Sequence, residues 1–89
     1  MARRFALGRT VITANAQASL NSEDAVSCLN RHEQGDWGDL DDDDKDANAE
    51  ALREGLRLLS AYTDRNGTRL WIITEWDRSV TTILLPEDY

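Results

Sequence analysis

Cysteine, proline, histidine and lysine each occur only once in these 89 residues, and their scarcity excludes several classes of protein. A single cysteine, Cys28, cannot form an intramolecular disulfide, which suits a reducing compartment and predicts a cytoplasmic protein. No apolar run approaches the roughly 20 residues that a membrane-spanning helix needs, so no membrane association is expected. A chain of this length is typical of one domain, which we predict over residues 1–89.

Reactive side chains are equally scarce. His32, the only histidine, would need an oriented nucleophile or a second acid to catalyse a reaction, and we interpret it as a helix-end residue facing the helix dipole. Cys28 is interpreted as a small apolar residue of the core. We therefore predict that the protein is not an enzyme, has no catalytic residues and binds no cofactor.

Acidic residues are plentiful and concentrated. Residues 33–54, called the acidic segment below, contain ten acids and two bases. The net charge of the chain is −7, and the residues outside this segment have a net charge of +1. Such an asymmetry produces a directional field rather than a uniformly acidic surface. The bases are scattered along the chain, so direct binding of nucleic acid, which needs clustered Lys and Arg, is not expected. The predicted partner is instead a protein with a basic nucleic-acid-binding surface.

The acidic segment also resembles a calcium-binding loop in its spacing. Four acids have the spacing of the first, third, fifth and twelfth positions of an EF-hand loop: Asp39, Asp41, Asp43 and Glu50. The sixth position of such a loop needs glycine for its sharp turn but is Asp44 here, so we predict no metal site. Two interpretations of the acidic run stay open, a solvated helix start and a mimic of the phosphate backbone.

Hydrophobic patterning predicts four strands and three helices. We predict strands over residues 5–13, 56–62, 69–75 and 80–85, and helices over residues 14–20, 22–32 and 43–54. Val26 and Leu29, three residues apart, are predicted to share the buried face of the second helix. The fold class is therefore α+β: a three- to four-stranded antiparallel sheet, made of the N-terminal strand and a C-terminal meander, with two or three helices packed on one face.

Three stretches of sequence carry a family resemblance. They are GDWG at 35–38, LREGLRLLSAY at 52–62 and WIITEWDRSVTTILLPEDY at 71–89. Together they resemble small uncharacterised "plasmid-related" proteins found on bacterial plasmids, integrative elements and prophages. Two positions depart from that pattern: Ala14-Asn15 replaces an expected Pro-Gly, and Trp76 replaces a small residue. The resemblance implies a mobile-element origin, and small acidic proteins of such elements are often anti-CRISPR or anti-restriction proteins.

These observations predict a non-enzymatic acidic inhibitor that blocks a host defence nuclease or CRISPR surveillance complex, with nucleic-acid mimicry as one route. The alternative is an accessory regulator or antitoxin-like protein-binding module. Trp37 is expected to fold back onto the core, and Trp37 or Trp76 is expected to supply an apolar anchor for the partner. A monomer and a homodimer are both compatible with the sequence. The predicted partner-binding residues are Asp36, Trp37, Asp39, Asp41, Asp42, Asp43, Asp44, Asp46, Glu50 and Trp76.

Overall fold

A computed structural model describes residues 3–89, which contain four strands and three helices. The strands are β1 (Arg9–Ile12), β2 (Leu58–Thr63), β3 (Arg69–Thr74) and β4 (Val80–Leu84). The helices are α1 (Ala14–Ser19), α2 (Ser22–Glu33) and α3 (Asp42–Glu54), and a 3-10 turn over Pro86–Asp88 follows β4. The predicted α+β class is confirmed, although β1 is shorter than the predicted strand over residues 5–13.

The four strands form one sheet in the order β1-β4-β3-β2. As predicted, β2, β3 and β4 form an antiparallel meander. The expectation of an entirely antiparallel sheet is wrong at one pair, because β1 runs parallel to β4, from Arg9 beside Val80 to Ile12 beside Ile83. Parallel neighbours need a long connection, and residues 13–79 provide one. Strand alternation shows which residues face the core but carries no information about strand direction.

The helices pack on one face of the sheet, as predicted. One core cluster forms where α2 meets the strands, and it consists of Cys28, Tyr62, Leu70, Ile72 and Ile83. A second cluster joins the loop before α3, the inner side of α3 and the start of β2 through Trp37, Ala51 and Leu58. The interpretation of Cys28 as a core residue is confirmed, since only 5% of it is exposed.

C-terminal residues, rather than a helix, pack against the opposite face of the sheet. Ile73 and Leu84 are buried on this face. The ring of Tyr89 lies 5.7 Å from that of Trp71 in an edge-to-face arrangement. Arg57 donates from Nη1 to Tyr89 Oη at 2.9 Å and so holds the terminal ring in place. The last residue of the chain thus shields apolar surface.

Local capping explains where the helices begin and end. The side chains of Thr13, Asn21 and Asp41 each accept a hydrogen bond from a main-chain N–H in the first turn of α1, α2 and α3. These bonds satisfy amide groups that have no partner within the helix. At the end of α3, Gly55 adopts the left-handed conformation with φ of 69°. No helix within residues 3–89 is both long and apolar enough to span a lipid bilayer.

The orientation of α2 differs from the sequence prediction. Its buried residues are Ala25, Cys28 and His32, whereas Val26 is 59% exposed and Leu29 only partly buried. The predicted burial of Val26 is therefore wrong. Both apolar side chains instead line a groove beside β1. A spacing of three residues places two side chains on one side of a helix, but it does not specify whether that side meets the sheet or its edge.

Candidate functional site

The densest negative charge lies at the start of α3. Asp41 is the N-cap, and its Oδ1 accepts a hydrogen bond from the N–H of Asp44 at 2.8 Å. Asp42, Asp43 and Asp44 form the first turn, where unpaired amide groups and the helix dipole favour negative charge. The run of acids is therefore compatible with a helix despite the repulsion between its members.

Four carboxylates in the first half of this helix are free of internal partners. Within the described residues, no side-chain hydrogen bond and no ion pair engages them, and all four residues are exposed: Asp42, Asp43, Asp44 and Asp46. We call these four residues the anionic patch. Their charge is directed into solvent, which makes them available to an external positive surface.

The remaining predicted acidic residues contact other parts of the chain. Asp36 forms an ion pair with Arg31 at 2.7 Å, Asp39 Oδ2 accepts a hydrogen bond from Thr63 Oγ1 at 3.0 Å, and Glu50 lies 3.9 Å from Arg53. The hydrogen bond from Arg31 holds the pKa of Asp36 below its ordinary value. Exposed pairs of this kind contribute about 0–1 kcal/mol to stability. The contacts of Asp36 and Asp39 order the loop before α3, and the ion pairs of Asp36 and Glu50 reduce the charge that these two residues offer to a partner.

A buried amide fixes α3 to the sheet. Asn48 donates from Nδ2 to the carbonyl of Leu59, and its Oδ1 accepts from the Leu59 N–H at 3.2 Å. Both groups of Asn48 are therefore satisfied, as a buried polar side chain requires. Sequence reasoning did not single out Asn48, although its position three residues before Ala51 places it on the inner side of the helix. The anionic patch is thus mounted on a helix held at two inner positions.

Of the two candidate aromatic anchors, Trp37 belongs to the core. It is only 8% exposed, and its ring stacks 6.2 Å from Phe5 and lies edge-on 5.8 Å from His32. The next residue, Gly38, has φ of 74° and passes so close to Ala61 that a Cβ atom would collide with the Ala61 carbonyl. The expected return of Trp37 to the core is confirmed, and its ring is not presented to a partner.

Trp76 is exposed, in contrast, on a turn that is held firmly. Its exposed fraction is 66%, and Leu56 is 53% exposed. Arg78 has a left-handed backbone, with φ of 60°, and its Nη1 donates to the carbonyls of Leu56 at 2.7 Å and Glu75 at 3.1 Å. One guanidinium group therefore links the β3–β4 turn to the segment that follows α3.

His32 lies in a buried chain of hydrogen bonds, so its interpretation as a residue facing the helix dipole is wrong. The Leu7 carbonyl can only accept a hydrogen bond, so Thr81 donates to it from Oγ1, at 2.7 Å. Thr81 must therefore accept from Thr74 Oγ1 at 2.7 Å, and Thr74 must accept from His32 Nε2 at 2.9 Å. The proton of the neutral ring is thus on Nε2, and Nδ1 accepts from the Ser60 hydroxyl.

Burial also determines the charge of this histidine. His32 is 0% exposed, and desolvation, with a smaller contribution from the charge of Arg78, lowers its pKa to about 4. The ring is therefore neutral at pH 7 and is shielded from solvent. We assign it to the packing of α2 against the sheet.

Comparison of the chain with protein family models, with curated proteins and with solved structures produced no match. The resemblance to plasmid-related proteins therefore stays a prediction.

The EF-hand spacing does not produce an EF-hand loop. Asp42–Glu54 is helical and Asp41 is its N-cap, so Asp43 and Glu50 lie on one rigid helix rather than around an open loop. Within residues 3–89, no group of three or more His, Cys, Asp or Glu side chains is arranged to hold a metal ion. Cys28 is buried, and desolvation raises the pKa of its thiol, which disfavours the reactive thiolate.

Proposed function

We propose that this protein is a non-enzymatic inhibitor of mobile-element origin that binds the basic nucleic-acid-binding surface of a host defence nuclease or CRISPR surveillance complex. The observation that carries the proposal is the anionic patch, whose four carboxylates form no ion pair within residues 3–89 and outnumber Lys45, the one base among them. Charge of one sign on a fixed element accelerates encounter with a surface of the opposite sign and disfavours wrong partners.

The charge spacing of the patch supports mimicry of nucleic acid. Asp42 to Asp46 span about 6 Å of helix axis at a rise of about 1.5 Å per residue. Four acids and Lys45 give this span a net charge of −3, or roughly one negative charge per 2 Å. Double-stranded DNA carries one charge per about 1.7 Å of its axis when both strands are counted. A channel lined with Lys and Arg for DNA would therefore meet a similar charge density at the start of α3.

The exposed tryptophan supports a second contact region. Arg78 ties the turn that holds Trp76 to Leu56, just beyond the end of α3. The acidic start of α3 lies about 20 Å away, since the helix contains 13 residues. The proposed interface therefore has charge at one end and an aromatic anchor at the other, and aromatic residues often dominate binding energy.

Charge neutralisation on α3 tests the proposal. The partner is captured from a host lysate, identified by mass spectrometry and purified, and its affinity for the chain is measured at two salt concentrations. We expect Asp43→Asn with Asp46→Asn to weaken binding about tenfold at low salt and to flatten its salt dependence. In the same assay, duplex DNA and the chain should compete for the partner.

A matched control separates a local effect from total charge. Glu23→Gln with Glu87→Gln removes the same charge from two exposed residues outside the acidic segment, and it should leave the affinity within about twofold, since separated surface charges are screened. Equal losses in both double variants, or no loss in either, would contradict an interface at α3.

The alternative, an accessory regulator or antitoxin-like module, is favoured by the exposure of Trp76, which does not depend on charge. If Trp76→Ala abolishes binding at every salt concentration while the Asp43→Asn and Asp46→Asn double variant binds normally, the partner recognises an apolar surface. In that case the partner should also bind without competing with DNA.

A further inference from the structure

The two edges of the sheet differ in how their main-chain groups are used. At the β2 edge, Asn48 occupies the N–H and C=O of Leu59. Ala61 is paired as well, because its N–H donates to the Trp37 carbonyl at 3.2 Å and its C=O accepts from the Asp39 N–H at 2.6 Å. This edge is therefore covered by the chain itself, which is one way that proteins prevent unwanted strand pairing.

The β1 edge has no such cover in residues 3–89. The N–H of Arg9 donates to the Ser79 carbonyl at 2.9 Å, and the N–H of Thr13 donates to the Ile83 carbonyl at 3.0 Å. Because main-chain groups alternate along a strand, those of Thr10 and Ile12 point away from β4. Neither residue is a proline, lysine or acid, the types that commonly protect an exposed edge.

An apolar groove runs beside this open edge. It has a volume of about 320 Å³, and among its lining residues Ile12 is 38% and Val26 59% exposed. The lining residues used below are Thr10, Ile12, Val26 and Leu29. Exposed main-chain groups next to apolar side chains suit a second extended strand, whose main chain would pair with β1 and whose side chains would enter the groove.

We propose that the occupant is a second copy of this chain, paired through antiparallel β1 strands about a two-fold axis at Val11. In this register Thr10 of each copy lies opposite Ile12 of the other, and each such pair exchanges two main-chain hydrogen bonds. The outward groups of β1 are thus self-complementary, as a two-fold interface requires. The pairing extends the sheet across both copies.

Side chains fit the same register. Thr10 and Ile12 pair with Thr81 and Ile83 of β4 and share their face, the one that carries the helices. Cross-strand neighbours point to the same face, so Ile12 of the second copy enters the groove between Thr10 and Val26. The pairing then covers apolar side chains of the groove that are exposed in the single chain.

Charge complementarity at the ends of the paired strands favours the second copy over an unrelated strand. Arg9, which makes no ion pair in the part of the chain that is described, comes to lie opposite Thr13 of the second copy. The hydroxyl of Thr13 donates to Asp88 Oδ2 at 2.6 Å, so the Asp88 carboxylate is held next to that position. Each copy thereby supplies one cation and one anion to the interface.

The acidic segment does not oppose this pairing. The start of α3 lies near Thr63 at the β2 edge, to which Asp39 is bonded, and β1 is the opposite edge of the sheet. With strands about 4.8 Å apart, the two β2 edges of the pair are separated by roughly 30 Å. That distance exceeds the screening length of about 8 Å at physiological salt.

Sedimentation of the full chain tests the proposal. Because β1 is short, we expect a reversible dimer whose weight-average mass rises from one copy towards two between about 10 µM and about 1 mM. Val26→Lys, at an exposed helical position in the groove, should shift the midpoint at least about tenfold to higher concentration by placing a charge in the interface. Ala47→Lys adds the same charge at an exposed position of α3 and should leave the midpoint unchanged.

Cross-linking tests the register independently. Residues opposite each other in a non-hydrogen-bonded antiparallel pair have Cα atoms about 4.5 Å apart, within the range of a disulfide. We expect Val11→Cys to form a covalent dimer under mild oxidation, whereas Ser19→Cys, exposed on α1, should form little. A chain that stays monomeric to about 1 mM overturns the proposal, as does a dimer that Val26→Lys does not weaken. A monomer that binds an added apolar strand peptide would indicate pairing with a different partner.

Discussion

His32 combines full burial with a complete set of hydrogen-bond partners. The two ring nitrogens contact hydroxyl groups on β2 and β3, and the chain of bonds continues through Thr81 to the Leu7 carbonyl. A network of this kind stabilises one packing of α2 on the sheet, because any slip would leave buried polar groups unpaired. It also makes stability sensitive to protonation.

We expect the free energy of unfolding to fall as the pH is lowered from 6.5 towards 4. The pKa of His32 is about 4 in the folded protein against 6.5 for the unperturbed group, so the unfolded chain binds the proton more tightly. The contribution is complete above pH 6.5, and about 2 kcal/mol of it should be lost by pH 5. Urea denaturation at several pH values measures this loss.

Two further measurements isolate the histidine. His32→Gln should flatten the dependence between pH 6.5 and 5, because carboxylates with lowered pKa values, such as Asp64 and Asp88, lose their contributions mainly below pH 5. Independently of that variant's stability, NMR of the imidazole should show a neutral ring protonated on Nε2 at pH 5. An imidazole that titrates near pH 6.5 in the folded protein would contradict the buried network.

At the scale of elements, α3 depends on Asp41 in a way that its neighbours do not share. The Asp41 side chain caps the helix through the Asp44 N–H, whereas Asp43 contributes through the helix dipole alone. We expect Asp41→Ala to lower the free energy of unfolding by about 1 kcal/mol and Asp43→Ala by about 0.3–1 kcal/mol. Chemical denaturation measures both losses.

Asp41→Asn separates capping from charge, because asparagine is as good an N-cap as aspartate. This variant should retain nearly all the stability that Asp41→Ala loses. If Asp41→Asn and Asp41→Ala are equally destabilising, the loss of stability comes from the lost charge and not from the lost cap. The comparison also matters for partner binding. A charge reversal that includes Asp41 would destabilise α3 as well as change its electrostatic field, so the two effects on binding could not be separated.

The three helices of the fold illustrate how much of the structure depends on local contacts. Predicted helix bounds agree with α1, α2 and α3 to within a residue or two because the caps Thr13, Asn21 and Asp41 act on amides only three residues away. The start of the anionic patch was predictable for the same reason. Local hydrogen bonds of this kind can be predicted from residues at neighbouring positions of the sequence.

For the whole molecule, the acidic charge and the covered sheet edge lie on one side, and the open sheet edge lies on the other. The acidic start of α3 lies by the β2 edge, which Asn48 and the segment 37–39 cover, and the β1 edge carries Arg9 and an apolar groove. One side of the protein is thus suited to a basic surface and the other to a second copy. A dimer would present two anionic patches that do not repel each other strongly.

Removing the Asn48 amide should affect both stability and association. We expect Asn48→Ala to cost about 1–3 kcal/mol because the main-chain groups of Leu59 lose their partners, and to promote oligomers larger than a dimer because a second edge is opened. Denaturation and sedimentation measure the two effects. Asn30→Ala, at an exposed position of α2, should change stability by less than about 0.5 kcal/mol; equal behaviour of the two variants would refute the role of the amide.

From the amino-acid sequence we could predict the α+β class, the meander, the helix bounds, the burial of Trp37 and Cys28 and the uneven distribution of charge. Each of these follows from composition, from alternation along a strand or from contacts a few residues apart. We could not predict the parallel direction of β1, the exposure of Val26, the hydrogen bonds of Asn48 to Leu59 or the hydrogen-bonded burial of His32, because these arise only when the chain is folded. These depend on groups far away in the chain, such as Ser60 and Thr74 for His32, and no local pattern encodes which distant hydroxyl a buried ring will meet.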